Sequence, residues 1–514
     1  MGSMSEAATV PAVLTHSASA YAGIEAVVDG DVRLRYDELP VEVERVAQAL
    51  LARGLQPGDV VAVWAPNSAR WMLAALACFH IGLTLVPVNT RYRGPEAHDL
   101  LARSGARALL VEDGFLDEGY LAMLRAAGPL PRLDTVVTTG RAAEGALDWA
   151  DFVDGGAAVP AEQVARAAAA VTPDTLLQIM FTSGTTGRPK GVPHTHGQAV
   201  RLYTTYSGHL GLRAGDRYLV VNPFFHSFGL LAGILSCLIR GATVLPMRRL
   251  DTAAALDLVE RERVTGIPGP PTLYATLMND PSRPGRDLGS LRLAVTGASV
   301  IPSELIRRMR TDLGFRDIIT AYGLTEATGT VTMCRLGDPD PIVESTSGRA
   351  VDGVEVAIAS GTGEILVRGF NVMPGYVEDP AGSAAAVDAD GWLHTGDVGR
   401  LDEYGNLSIT DRLGDMFIVG GFNVSPAEVE QALTSHPGVS EVAVVGVPDE
   451  RLGEVGRAFV VRRTGHDTSA DELLDWCRER LANFKVPRSL VLLPELPRTG
   501  SGKIAKSALR ETAG

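Results

Sequence analysis

Apolar and polar residues alternate along this chain in two rhythms, helical runs and compact strand-like runs. Their succession predicts an α/β architecture with largely parallel sheets. One unit recurs. "GLQPGDVVAVWAPNS" from Gly54 and "GLRAGDRYLVVNPFFHS" from Gly211 each open on Gly-x-x-x-Gly-Asp and run into an apolar strand, 157 residues apart. An apolar helix, a glycine and a further strand follow in both, "IGLTLVPV" in the first and "RGATVLPM" in the second. Two related α/β halves are the economical reading. From about Gly361 the texture changes to short strands and Gly-rich turns, as in "GEILVRG" and "GWLHTGDVGRLDEYGNLSITDR". After Arg412 comes strand "MFIVGG", helix "SPAEVEQALTSH", strands "SEVAVVGVP" and "RAFVVRR", helix "SADELLDWCRERLANF" and strand "SLVLLPEL". Ser425-Pro426 is a good helix entry, with a serine cap and proline at the first helical position.

These patterns predict a large N-terminal domain, residues 5–411, of two related α/β subdomains plus a β-rich subdomain. A small α+β domain, residues 412–514, follows and has enough length for its own core; its mobility is what the resemblance described below implies. Residues 71–88, "WMLAALACFHIGLTLVPV", contain no Asp, Glu, Lys or Arg. They are marginal against a membrane span of about 20 residues, and His80, Gly82 and Pro87 interrupt them, so a buried helix and a buried strand are expected.

Composition narrows the classes. A net charge of −14 argues against a broad nucleic-acid footprint while leaving room for one small basic site. Cys78, Cys237, Cys334 and Cys477 lie far apart with no CxxC spacing, so neither a disulfide framework nor a zinc site is expected. Met1 to Met4 reads as an expression remnant with no signal peptide behind it. A cytoplasmic protein without membrane spans fits all of this.

Candidate chemistry centres on "FTSGTTGRPKG", residues 181–191. Hydroxyls and glycines ending on a lysine make a poor helix and a good anion-binding loop, because backbone N–H groups can approach the anion closely. A Walker loop needs GxxxxGK followed by Ser or Thr; here Gly191 follows Lys190, so that reading fails. The loop follows the strand-like "TLLQIMF", at a strand end where open α/β sheets hold ligands.

The loop resembles the signature of the acyl-adenylate-forming superfamily, which includes acyl-CoA synthetases, adenylation domains of peptide synthetases and firefly-type luciferases. Six further motifs of that superfamily stand here in its order: "PFFHSFG" (223–229), "TGAS" (296–299), "AYGLTE" (321–326), "HTGD" (394–397), "DRLGDMFIVGGFNVSPAEVE" (411–430) and "RTGSGKIAK" (498–506). The resemblance covers nearly the whole chain. It implies activation of a carboxylic acid by ATP to an acyl-adenylate, then thioester formation with coenzyme A.

The resemblance also implies roles. Thr182, Ser183, Thr185, Thr186 and Lys190 would hold the β- and γ-phosphates, with Gly184 and Gly187 letting the loop close. Thr325 would contact the α-phosphate, and Glu326 would hold Mg²⁺, a role with physical sense because a carboxylate beside a triphosphate needs a cation between them. Gly297, Ala298 and Ser299 on one side and Ala321, Tyr322 and Gly323 on the other would enclose adenine. Asp397, assisted by Arg412, would bind the ribose hydroxyls. Lys503 would bridge the carboxylate and α-phosphate during adenylation, and Gly420 and Gly421 would line the pantetheine tunnel. His226 is read as a gate of the acyl pocket or a neighbour of the carboxylate. Gly414 stands where the family's hinge usually has Asp or Lys, which keeps rotation but removes hinge side-chain contacts. His194 and His196 follow the loop with no role readable.

The segments "FFHSFG", "GASVIP" and "ATGTVTM" are small or apolar and offer no Arg or Lys to a second carboxylate. A monocarboxylic acid with an apolar body is therefore expected. The motifs look most like those of actinobacterial ligases for fatty acids and for steroid-ring-derived propanoates. A separate carrier protein as acceptor, and a non-catalytic nucleotide- or acyl-CoA-binding protein, are the alternatives. The oligomeric state, a homodimer included, stays open.

Overall fold

The computed structural model describes residues 7–182, 189–297, 303–413, 415, 417–419, 422–424, 426–449, 452–481, 483–499 and 502–511. It separates into two compact units. One comprises Met1–Val356, Val367–Leu393 and Asp402–Leu407; the other comprises Ala357–Leu366, His394–Leu401 and Ser408–Gly514.

Two sheets carry the first unit. A seven-stranded sheet runs Leu147–Asp148, Thr135–Thr138, Ala108–Val111, Val60–Trp64, Thr84–Pro87, Leu176–Thr182, Lys190–Thr195. Its neighbours are parallel except the last two strands, which form an antiparallel hairpin. In the nine-stranded sheet, Asp317–Tyr322, Leu293–Gly297, Gly266–Pro268, Arg217–Val220, Thr243–Pro246 and Glu25–Asp29 lie parallel in that order. Antiparallel strands close both edges. The central strands are buried on both faces, which is why their sequences read as unbroken Val, Leu and Ile runs rather than as alternations.

The repeat seen in the sequence is real in three dimensions, one copy per sheet. Val60 pairs in parallel with Thr84, and Arg217 with Thr243. The same turn feeds both strands: Gly58 N–H donates to Gly82 O at 2.8 Å, and Gly215 N–H to Gly241 O at 2.9 Å. Gly58 and Gly215 sit at φ +90° and +83°, which an L side chain would strain. The connecting helices differ. In the first copy Ala69–His80 is one helix capped by Ser68, whose Oγ accepts from Trp71 N–H at 3.2 Å. In the second, a short turn Ser227–Gly229 passes into a π-helical segment, Leu230–Leu235, before Ser236–Arg240. The apolar run reads as a single helix in sequence. The structure instead winds Leu230–Leu235 as a π-helix, a device frequent at functional sites.

A four-stranded sheet runs Val354–Ile358, Glu364–Gly369, Leu393–Leu401, Leu407–Arg412, the β-rich region expected from the Gly-rich turns. Within the second unit, Phe422–Val424, Phe417–Val419, Gly453–Arg462 and Val439–Asp449 form a sheet, with Ser489–Leu492 parallel to Gly453–Arg462. Helices Pro426–Thr434 and Ala470–Arg478 cover it, and Phe417, Val429, Leu433, Val444, Phe459 and Leu473 make a separate core. Pro426 opens its helix as expected; Ser425 lies outside the described residues. The second helix stops at Arg478, well short of Phe484. Arg480 and Leu481 N–H both turn back to Cys477 O, tightening the last turn.

All four cysteines are buried and unpaired by disulfides, and burial pushes their thiols up, Cys477 to about 11. Among the described residues no helix is long and apolar enough to cross a membrane.

Candidate active site

The glycine-rich loop joins the two strands of the hairpin. Thr182 pairs with Lys190 and Phe181 with Gly191, so the loop leaves and re-enters the sheet at neighbouring positions. Ser183, Gly184, Thr185, Thr186 and Gly187 lie outside the described residues. The loop's exit is tied down by Arg103. Its Nη1 donates to Pro189 O at 2.7 Å, and its guanidinium lies 5.3 Å from the Phe181 ring centre. Lys190 Nζ is 3.6 Å from Asp379 Oδ2 and 4.6 Å from the centre of the Tyr376 ring.

Thr325 and Glu326 begin a single 3-10 turn, Thr325–Ala327. So short a turn has almost no stability of its own, and its anchors come from elsewhere. His194 Nε2 lies 2.7 Å from Thr325 O, and its Nδ1 lies 2.9 Å from Gln178 Nε2. A carbonyl can only accept, so Nε2 carries the hydrogen and Nδ1 accepts from the amide. Burial pushes His194 down to about 4, which keeps the ring neutral in that tautomer. Met373 N–H donates to Glu326 O at 2.8 Å, and the Tyr376 hydroxyl donates to Glu326 Oε1 at 3.0 Å. Burial, then the neighbouring Glu326 charge, push the Tyr376 hydroxyl above the usual phenol range, so it remains a donor. Among the described residues no cation pairs with Glu326.

Gly297 and Ala321 lie side by side at the C-terminal ends of parallel strands, where such sheets take ligands. A Cβ on Gly297 would stand 2.3 Å from Ala321 O, and one on Gly323 2.1 Å from Gly329 O. Close backbone packing alone therefore demands both glycines. Tyr322 is 8% exposed, and Ala298 and Ser299 lie outside the described residues. His226 is exposed at the head of the broken helix. Its turn is held by Asn67 of the first repeat: Asn67 Nδ2 donates to Asn222 O at 2.9 Å and Val220 O at 3.3 Å, and Oδ1 accepts from Phe224 N–H at 2.7 Å.

Within the second unit, Asp397 is half-buried, and its N–H donates to Thr395 Oγ1 at 3.1 Å. Arg412 ends the strand Leu407–Arg412. Lys503 is exposed beside a small bridge, Arg498 to Ile504, with Thr499 N–H donating to Lys503 O at 2.7 Å. Gly414, Gly420 and Gly421 lie outside the described residues.

Residues 14–377 match the AMP-binding enzyme family, and residues 428–503 match the C-terminal domain of that family. The chain belongs to it. The AMP-binding enzyme is 49% identical over 509 residues to a methyl-dioxo-octahydroindenyl-propanoyl:CoA ligase of Rhodococcus jostii, covering 98% of both chains. A ligase of the same name from Mycobacterium tuberculosis is 48% identical over 503 residues, again with 98% of both covered. Among solved structures, o-succinylbenzoate CoA synthetase from Bacillus subtilis, in complex with its acyl-adenylate, superposes with a TM-score of 0.82 at 30% identity, covering 97% of each chain.

The motif reading is thus borne out for family and reaction. The enzyme is an AMP-forming acid–thiol ligase. A carboxylate oxygen attacks the α-phosphorus of ATP and pyrophosphate leaves; the coenzyme A sulfur then attacks the acyl carbonyl and AMP leaves.

Within the first unit, this AMP-binding enzyme joins the loop lysine to Glu326 through Tyr376 and the loop hairpin to Thr325 through His194. The sequence reading missed Arg103, Tyr376, His194, Gln178 and Asn67. Each acts on a backbone atom or side chain far along the chain, and only the histidine, as a buried titratable residue beside the loop, gave any local signal.

Proposed function

We propose that this ligase activates a monocarboxylic acid whose body is apolar and fused-ring, carried on a propanoate arm. The observation that carries the proposal is near-half identity over whole chains with two ligases named for an octahydroindenyl propanoate. The acyl-side segments agree, since residues 223–229 and 327–333 contain no Lys or Arg. Medium-chain fatty and aryl acids are the competing substrates, and a carrier protein is the competing acceptor.

In this reading Thr182 to Thr186 and Lys190 hold the terminal phosphates, Thr325 the α-phosphate, and Asp397 with Arg412 the ribose. Ala321, Tyr322 and Gly323, with Gly297, Ala298 and Ser299, enclose adenine. Gly420 and Gly421 border the pantetheine arm. Glu326 suits Mg²⁺: it is a half-buried carboxylate without a basic partner among the described residues. No group of three His, Cys, Asp or Glu stands among the described residues to bind the ion alone, which matches a cation shared with nucleotide oxygens. Bound there, Mg²⁺ would neutralise charge on the phosphates. ATP and coenzyme A as co-substrates, with four free thiols, fit a cytoplasmic setting.

Pyrophosphate and AMP release over acetate, fatty, aryl and bicyclic propanoic acids, with and without coenzyme A, tests the reading. Coenzyme A-dependent turnover highest for bicyclic propanoates is expected, and preference for straight chains would overturn it. Lys503→Ala is expected to lose adenylation by roughly 10²- to 10³-fold while keeping thioester formation from supplied acyl-adenylate. Equal loss of both steps would remove Lys503 from its role.

A further inference from the structure

Lys190 and Glu326 carry opposite charges, and both are only partly exposed, yet they form no ion pair. Tyr376 stands between them. Its ring face receives the Lys190 ammonium at 4.6 Å, and its hydroxyl donates to Glu326 Oε1 at 3.0 Å. The tyrosine is itself fixed at both ends of its peptide. Its N–H donates to Ser383 Oγ at 2.8 Å, and the next N–H, of Val377, donates to Gly191 O at 2.8 Å. Ser383 Oγ donates in turn to Asp379 O at 2.6 Å, and Asp379 Oδ1 caps the short helix Pro380–Ala386 by accepting from Gly382 N–H at 2.8 Å. The same Asp379 takes Lys190 through its other oxygen.

A cation over an aromatic face is a modest attraction at a partly exposed site, and a hydroxyl–carboxylate bond is charge-assisted. Neither is large, but together they decide geometry. A long lysine and a glutamate without the ring between them would close on each other and neutralise the carboxylate.

We propose that Tyr376 is the positioning residue of the cation site. It occupies one oxygen of Glu326, fixes the carboxylate plane and spaces Lys190 away, leaving the other oxygen for a divalent ion shared with the nucleotide phosphates. This rests on the reading of Glu326 as the cation ligand.

The test measures Mn²⁺ binding to the full-length enzyme with saturating ATP by electron paramagnetic resonance, for the wild type, Tyr376→Phe, Glu326→Gln and the double variant. Phenylalanine keeps the ring under Lys190 and removes only the hydroxyl. Tyr376→Phe is expected to weaken Mn²⁺ binding about tenfold, the low end for removal of a group that orients a metal ligand. The nucleotide-free unfolding midpoint should not change, and the double variant should bind no more weakly than Glu326→Gln. The Mg²⁺ needed for half-maximal pyrophosphate exchange should rise by a similar factor, with the rate at saturating Mg²⁺ largely kept. If Glu326→Gln weakens binding but Tyr376→Phe binds like the wild type, the proposal is overturned and the cation reading stands. If Glu326→Gln itself binds like the wild type, the cation reading falls and takes the proposal with it. Additive losses in the double variant, or a lowered unfolding midpoint with Mn²⁺ affinity intact, would also overturn the role of Tyr376.

Discussion

The two repeats of the first unit share the hydrogen bond of their entry turn, 2.8 Å in one and 2.9 Å in the other, and then part company. Twenty-four residues separate Val60 from its strand partner Thr84, and 26 separate Arg217 from Thr243. The extra two fall in the turn after the strand: Pro66-Asn67-Ser68 in one copy, Pro223-Phe224-Phe225-His226-Ser227 in the other. In the first copy the short turn launches a regular helix, buried along its length except at Arg70 and His80. In the second, the longer turn exposes His226 and hands over to a π-helical segment. The first copy supports the turn of the second directly through the three hydrogen bonds of Asn67, and in the proposed reading that turn borders the acyl group while the first copy serves as scaffold.

The comparison can be broken at its tightest point. A Cβ on Gly229 would stand 2.2 Å from Pro223 O and 2.6 Å from Asn222 O, both backbone atoms that cannot step aside. Its counterpart in the first copy, Arg70, carries a full side chain. Gly229→Ala should therefore open the acyl-side turn and lower pyrophosphate exchange on the order of 10²-fold, the scale of an ångström misplacement near the chemistry. Near-normal exchange in that variant would mean the turn is not part of the acyl site.

A smaller effect is expected from the scaffold side. Asn67→Ala orphans the buried Phe224 N–H and Asn222 O and should cost about 3 kcal/mol in chemical denaturation. Exchange should also fall, by about tenfold, because the turn loses its support. Lost stability with an unchanged rate would show that the two copies are energetically coupled but functionally independent. The smallest effect is at Ser68, which caps only the scaffold helix. Ser68→Ala should lower stability by about 1 kcal/mol and leave exchange as it is. A change in rate there would erase the distinction between the copies.

Much of this was readable beforehand. The repeat, the buried helix and strand of residues 71–88 and the separate C-terminal core follow from local apolar spacing, and the free cysteines from their scatter along the chain, all of which the structure reproduces. The family and its reaction were readable because binding loops contain glycines and hydroxyls in unusual density. The π-segment was not, since "LLAGIL" fits any helix and its apolar spacing does not separate a π turn from an α turn. Nor was the support around the site. Tyr376 in "PGYVEDP" reads as a turn residue, and its partner Glu326 lies fifty residues earlier; Gln178 looks like a stray polar residue in a buried strand until His194 is placed beside it. Such residues are chosen by tertiary neighbours, and single-chain patterns carry no trace of them.

The buried cysteines have a practical corollary. An enzyme that consumes a free thiol is conveniently followed with aromatic disulfide reagents, which react only with accessible thiolates. Cys78, Cys237, Cys334 and Cys477 are shielded and held in the thiol form, so the native protein contributes no background to such a count. Any slow signal from the protein itself then measures how often its cores open, and the same titration that follows coenzyme A doubles as a clock for unfolding.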